Sequence, residues 1–170
     1  LKKEIKKELS YLNHGRVSNK IKFTGFYFRR RDKFLGKWLN YGETASVKFL
    51  RLAKKDAGRW KRPIHEVWEI KGKVGDLKNS IIHDRDMNVS QFLTRINQYS
   101  SLRAGELYQK KIKTNAFLIM AYPIGKFIQN YFIRLGFLDG KPGFVMAAMM
   151  SIHSFLVRAK LYLLWKNKGE

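Results

Sequence analysis

The stretch "IIHDRDMNVSQFLTRINQYSSL", Ile81 to Leu102, decides the class of fold. Up to Asn88 the chain runs in short apolar bursts broken by turn residues. After Asn88, Phe92, Ile96, Tyr99 and Leu102 recur every three or four residues, the spacing of one face of a helix. The period thus switches from that of a strand to that of a helix. Upstream, "KIKFTGFYFRRR" (20–31) and "SVKFLRLAK" (46–54) alternate, "IHEVWEIKG" (64–72) is a third strand-like run, and "KVGDLKNSIIHD" (73–84) is a strand or loop pair. In the first of these, Ile21, Phe23 and Gly25 are expected to share a face. "DKFLGKWLNYGE" (32–43) reads as a turn-rich connection. Leu1–Leu12 is a charged amphipathic helix ahead of the strands. Downstream, the helix begun at Asn88 runs to about Lys111. "KTNAFLIMAYPIGKFIQNYFIRLGF" (113–137) is a second helical stretch in which Pro123 kinks or breaks the helix. "LDGKPG" is a turn, and "FVMAAMMSIHSFLVRAKLYLLWK" (144–166) closes the chain as a helix. Strands come first and helices follow.

The composition allows a packed domain, with 45% hydrophobic and 14% aromatic residues among 170. The absence of cysteine excludes disulfides and cysteine-based zinc sites, and fits a reducing compartment. With 35 Lys/Arg against 13 Asp/Glu the net charge is +22. Such a surface attracts phosphates, whether on nucleic acid, an anionic membrane or a nucleotide-linked substrate. The charge is uneven. Residues 1–62 hold 19 basic and 5 acidic side chains, whereas residues 63–111 hold 8 and 6. The near-neutral middle contains two of the four histidines, His65 and His83, each followed by an acid, Glu66 and Asp84.

Glu66 lies in a strand-like run among Val67, Trp68 and Ile70. Partial burial there would raise its pKa and suit a general base. A surface glutamate paired with a lysine is the simpler reading. His83 closes an apolar run, as a metal ligand or as a polar strand end. Arg51 interrupts "FLRLA"; half-buried it would want an anion such as a diphosphate, and on an edge strand it would sit in solvent. Trp38, Tyr41, Trp60 and Trp68 could stack on sugar or base rings, with core packing as the default. No P-loop, GxGxxG or GxSxG is present, nor any nucleic-acid-binding motif. The uncharged run 142–157 falls short of the roughly 20 residues a membrane span needs. The C-terminal helices are therefore read either as interfacial, with snorkelling Lys/Arg, or as packed on protein.

In order and spacing, "FLGKWL" (34–39), "VKFLRLAKK" (47–55), "IHE" (64–66), "IIHD" (81–84), "INQYSSLRAGELY" (96–108) and "LGFLDGKPGF" (135–144) resemble the C-terminal half of bacterial family-2 glycosyltransferases, the branch of lipopolysaccharide-core and cell-envelope enzymes. The resemblance implies an α/β fold: the C-terminal part of a GT-A Rossmann-like mixed sheet, followed by amphipathic C-terminal helices. It implies that residues 1–87 are the acceptor side of the catalytic domain and 88–170 a helical, membrane-surface extension. Glu66 would be the general base of an inverting transfer, Arg51 and Gly42 would hold the donor diphosphate, and His83 would ligate a divalent metal, Mg or Mn. The implied partners are a nucleotide-sugar donor, a lipid-linked or glycan acceptor, an anionic membrane surface and an N-terminal half of the same protein; nucleic acid is not expected. The implied location is the inner face of the cytoplasmic membrane. The alternative is a basic module without chemistry, binding nucleic acid or anionic membrane. Because the family's Asp-x-Asp motif precedes a helix like Leu1–Leu12, the donor-binding half is expected to lie upstream. The 170-residue chain alone is accordingly expected to show no nucleotide-sugar turnover, and detectable turnover in a donor-hydrolysis or transfer assay would contradict that.

Overall fold

The structure is a computed structural model that describes residues 1–13, 23–61 and 67–167, without the side chains of 8–13, 67 and 85–87. It is mixed α/β, with a mixed sheet and helices that dominate after residue 88, as the change of period requires. Two compact units form. One comprises residues 1–31 and 45–83, the other 32–44 and 84–170.

In the first unit the organising element is β1 (Phe23–Phe34). Strand β3 (Lys48–Ala53) pairs with it antiparallel, and β6 (Lys73–Asp76) pairs with it in parallel. Phe26 and Phe28 point inward while Tyr27 and Arg29 are exposed. Gly25 is buried as well and Phe23 is half-buried, so burial does not follow simple alternation, while Ile21 lies outside the described residues. The cause lies in a register shift against β6, where Phe23 and Gly25 face the consecutive Lys73 and Val74 and Thr24 is the extra residue. An extra residue displaces the side chains on either side of it relative to simple alternation. Phe23 consequently joins the same cluster, its ring 5.5 Å from that of Phe26. Leu77 completes the buried set, with Ile5, Leu52 and Ile81 packed against it. Ile5 comes from α1 (Lys2–Asn13), which is tethered through Glu4. The Glu4 carboxylate accepts hydrogen bonds from the backbone N–H of Lys78 (2.6 Å) and Asn79 (3.1 Å), and from Asn79 Nδ2 (2.7 Å). A two-stranded ribbon pairs β4 (Gly58–Lys61) with β5 (Val67–Ile70), the latter within the strand-like run 64–72. Ahead of it, Asp56 takes a left-handed φ of 64°.

In the second unit the end of β1 turns back as a hairpin onto β2 (Lys37–Trp38). Leu35 and Gly36 bridge them with φ of 48° and 75°. A two-residue hairpin of this hand needs positive φ at both central residues, and glycine supplies the second without steric cost. The supposed connection "DKFLGKWLNYGE" is thus partly strand.

A short helix, α2 (Gly42–Ser46), begins soon after β2, and the long helices of this unit are α3 (Val89–Gln109), α4 (Ala116–Ile128) and α5 (Lys141–Asn167). Asn88 caps α3 in a capping box with Gln91, which explains why the period changes there. Asn115 caps α4 through Leu118 N–H. Helix α4 continues through Pro123 without a break and passes into a π turn, Gln129–Ile133. Pro142 falls in the first turn of α5, where its missing N–H has no intrahelical partner to lose. Helices α3 and α5 bury Ala104, Leu107, Val157, Leu161 and Trp165 between them. Trp165 Nε1 donates to the Ile112 carbonyl at 2.9 Å. Lys160 closes the same interface: its ammonium lies 2.7–2.9 Å from Asn97 O, Asn97 Oδ1, Ser100 Oγ and Ser101 Oγ. Burial lowers the pKa of Lys160. By length and composition α5 could cross a membrane, which is weak evidence for a helix packed in this way along one side.

Glu106 gives α3 a measurable pH signature. Hydrogen bonds from Lys110 and then Arg103 lower its pKa to about 2 from an ordinary 4.5. The stabilisation is therefore complete above pH 4.5 and lost as the pH falls towards 2. Glu106→Gln should be less stable than the parent at neutral pH, and the gap should close across that window in urea unfolding curves.

Candidate functional site

The loop after β2 is held by an unbroken run of backbone donors, all satisfied within the second unit. Leu39 N–H donates to Asp32 O (3.0 Å) and Gly42 N–H to Arg134 O (2.9 Å). Asn40 N–H reaches both carboxylate oxygens of Asp139 (3.2 and 3.0 Å), and Tyr41 N–H reaches Oδ2 (2.9 Å). Glu43 N–H donates to Asn130 Oδ1 at 3.0 Å. Asp139 is 2% exposed, and its backbone carbonyl accepts from Lys37 Nζ at 2.9 Å. Two glycines make this closeness possible. A Cβ on Gly143 would lie 2.0 Å from Gly136 O, and one on Gly136 would lie 2.6 Å from Asn130 O. The resulting small recess is lined by Leu39, Tyr41, Gly42, Asn130, Asp139 and Met146, among others. Asn130 Nδ2, beside the Oδ1 that accepts from Glu43, is buried and has no hydrogen-bond partner among the described residues. The Glu43 carboxylate faces Lys126 Nζ at 2.8 Å.

Gly42 sits in this knot with φ of 75°, a conformation that favours glycine. Its N–H is given to Arg134 O, so a phosphate could receive it only by displacing that bond. Sequence reasoning did not anticipate Asp139 or Asn130 as the residues that organise the loop. The signal was present in the landmarks: "FLGKWL" and "LGFLDGKPGF" supply Lys37 and Leu39 on one side, and Gly136, Asp139 and Gly143 on the other.

Arg51 and His83 belong to the first unit. Strand β3 pairs only with β1 among the described residues, so Arg51 is on an edge strand, and it is exposed. It is also the extra residue of a bulge, since Leu50 and Leu52 face the consecutive Tyr27 and Phe26. Its guanidinium lies 4.9 Å from the Trp60 ring centroid and 5.9 Å from that of Phe49. Trp60 and Trp68 are cross-strand partners whose rings stack at 5.2 Å and 14°. The three side chains form a cation-topped aromatic stack in which Trp60 remains 49% exposed. His83 is half-buried on β7 (Ile81–Met87). Its neighbour Asp84 points to the opposite strand face and lies 3.6 Å from Lys33 Nζ. Among the described residues no three His, Asp or Glu side chains converge, so these residues alone do not make a divalent-metal site. Glu66 and His65 lie outside the described residues.

Over 81% of its length this chain is 25% identical, across 141 residues, to the lipopolysaccharide core biosynthesis glycosyltransferase LpsC of Rhizobium meliloti. Across 90 residues, 53% of the chain, it is 32% identical to an uncharacterized glycosyltransferase of Rickettsia felis and 30% identical to one of Rickettsia conorii. The chain spans about half the length of the first relative (52%) and about a third of the others (32%). No family model and no solved structure matches it. Its curated homologues are thus named glycosyltransferases, at modest identity.

The Asp139 knot can be tested directly. Asp139→Ala leaves two backbone N–H groups without acceptors and should cost about 2–4 kcal/mol in denaturant unfolding. Asp139→Asn retains one carbonyl acceptor and should lose less. Equal stability of Asp139→Ala and the parent would remove the carboxylate from its structural role.

Proposed function

We propose that this chain is the acceptor-side part of an inverting family-2 glycosyltransferase of GT-A fold. The enzyme would transfer a sugar from a nucleotide-sugar donor to a lipid-linked or lipopolysaccharide-core acceptor at the inner face of the cytoplasmic membrane. The observation that carries this reading is the similarity to LpsC over 81% of the chain, which spans both the strand and the helical parts. In this reading residues 1–87 belong to the catalytic domain and 88–170 form its helical extension, while the donor-binding half is supplied by sequence outside this chain.

Glu66 is the proposed base. Its carboxylate takes the proton of the acceptor hydroxyl as that oxygen attacks the anomeric carbon from the face opposite the diphosphate. A new C–O bond forms, the bond to the diphosphate oxygen breaks, and the nucleoside diphosphate leaves with the electron pair. Arg51 would answer that charge. Its guanidinium rests on Trp60 at the exposed edge of β3, so part of the entropy of ordering it is already spent before an anion arrives. Gly42 would border the donor through the loop fixed by Asp139. His83 would contribute one ligand to a divalent cation, whose remaining ligands would come from outside the described residues; such an ion would supply Lewis-acid stabilisation of the diphosphate. The reading as a basic module without chemistry is not favoured by relatives named as transferases.

In the complete protein, Glu66→Gln should lower transfer by about 100-fold or more, the scale of a lost general base, with donor affinity by calorimetry unchanged. Turnover at the parental rate would remove Glu66 from the base role. Arg51→Ala should weaken donor and nucleoside diphosphate binding together, and unchanged affinity for both would remove Arg51 from the diphosphate.

A further inference from the structure

Helix α4 is apolar on both sides. One side does structural work: Pro123 is buried, Leu118 and Ile119 are half-buried, and Ser151 of α5 donates to the Pro123 carbonyl at 2.7 Å. The other side has no such role. Phe117, Met120, Ile124, Ile128 and Phe132 are exposed, Phe117 to 75%, and the adjoining Ile133 is 72% exposed. Their spacing of three or four residues places them in one stripe along the helix. From Phe117 to Phe132 that stripe is roughly 22 Å long at the rise of a helix. An exposed apolar patch of this continuity marks an interaction surface.

Charge identifies the occupant. From Leu107 to Leu138 the sequence has five basic residues, Lys110, Lys111, Lys113, Lys126 and Arg134, and no Asp or Glu. The next acid, Asp139, is buried and committed to the Asn40 and Tyr41 N–H groups. Lys111 and Lys113 are exposed just ahead of α4. Arg158 reaches over the Tyr122 ring at 3.6 Å, with Tyr122 itself exposed. An apolar stripe bordered by cations and aromatic rings suits the boundary between anionic head groups and acyl chains. Helix α4, with 13 residues, is too short to span a hydrocarbon core of roughly 30 Å, so it would lie in the plane of the surface.

We propose that the exposed stripe of α4 and the following π turn, Phe117 to Phe132, is a docking face for an anionic lipid bilayer. The apolar side chains enter the acyl boundary, and Lys111 and Lys113 meet the lipid phosphates. This sharpens the membrane location proposed above but does not rest on sugar transfer, because vesicle binding is blind to catalysis.

The test is co-sedimentation of the full chain with vesicles of phosphatidylcholine alone and of phosphatidylcholine mixed with phosphatidylglycerol. The parent should bind the anionic vesicles preferentially, and less so at high salt. Combined Phe117→Ser, Ile124→Ser and Phe132→Ser should reduce that binding about tenfold or more, with the circular dichroism spectrum unchanged because all three are exposed. A second measurement guards against misfolding. Ile124→Trp should shift its fluorescence to the blue on adding anionic vesicles and be quenched by brominated acyl chains. Parental binding by the triple variant, or no fluorescence shift, would overturn the proposal. So would a concentration-dependent dimer abolished by the triple variant in a chain that binds no vesicles, which would place a second copy on the face.

Discussion

The second unit depends on one buried carboxylate. Asp139 holds Asn40 and Tyr41 by their backbone N–H groups, and its own carbonyl holds Lys37. A loop on the edge of a hairpin has backbone donors that must find acceptors once they leave water. Here five consecutive donors, Leu39 to Glu43, find them in Asp32, Asp139, Arg134 and Asn130. These contacts thus fix the loop and the first turn of the short helix α2 that follows it. Gly136 and Gly143 are part of the same constraint, because a side chain at either would collide with the backbone it must approach. Phe34, Leu39 and Met146 then bury their side chains together beneath the loop.

Much of the fold was legible in the sequence, and the reasons are local. Asn88 with Gln91 is a capping box, so the start of α3 could be read from two residues. The alternation in β1 and β3 and the amphipathic α1 were likewise visible. What escaped was set by distance or by special backbone. Phe23 and Phe26 share a cluster despite their odd and even positions, because the register shift against β6 cannot be seen in one strand. The β1–β2 hairpin reads as a plain connection in the sequence because Leu35, which adopts a positive φ, is not a residue that advertises it. The ribbon of β4 and β5 was half missed because its stability comes from Trp60 meeting Trp68 across strands.

The candidate site was legible to a different degree. Composition and spacing left Arg51 between an anion ligand and a solvated edge residue. It is an edge residue whose guanidinium lies over Trp60, a pairing that needs two strands to bring positions nine apart in sequence together. Landmarks used to draw the family resemblance turn out, in part, to be folding residues. "INQYSSLRAGELY" supplies Asn97, Ser100 and Ser101 to Lys160, and Ala104 and Leu107 to the core. Such residues carry kinship without touching a substrate, which is why a resemblance can be specific over a stretch that holds no chemistry.

Lys160 illustrates a further property of that interface. An ammonium has three protons, yet four oxygens surround this one within 2.9 Å. Several hydrogen-bonding arrangements are therefore nearly equivalent, and the contact keeps some rotational freedom while remaining satisfied. The redundancy lies wholly on the α3 side. Drift at Ser101 or Asn97 can be absorbed by the remaining acceptors, whereas the single lysine opposite has no substitute. The seam between α3 and α5 is thus asymmetric under mutation: permissive along one helix and intolerant at one position of the other.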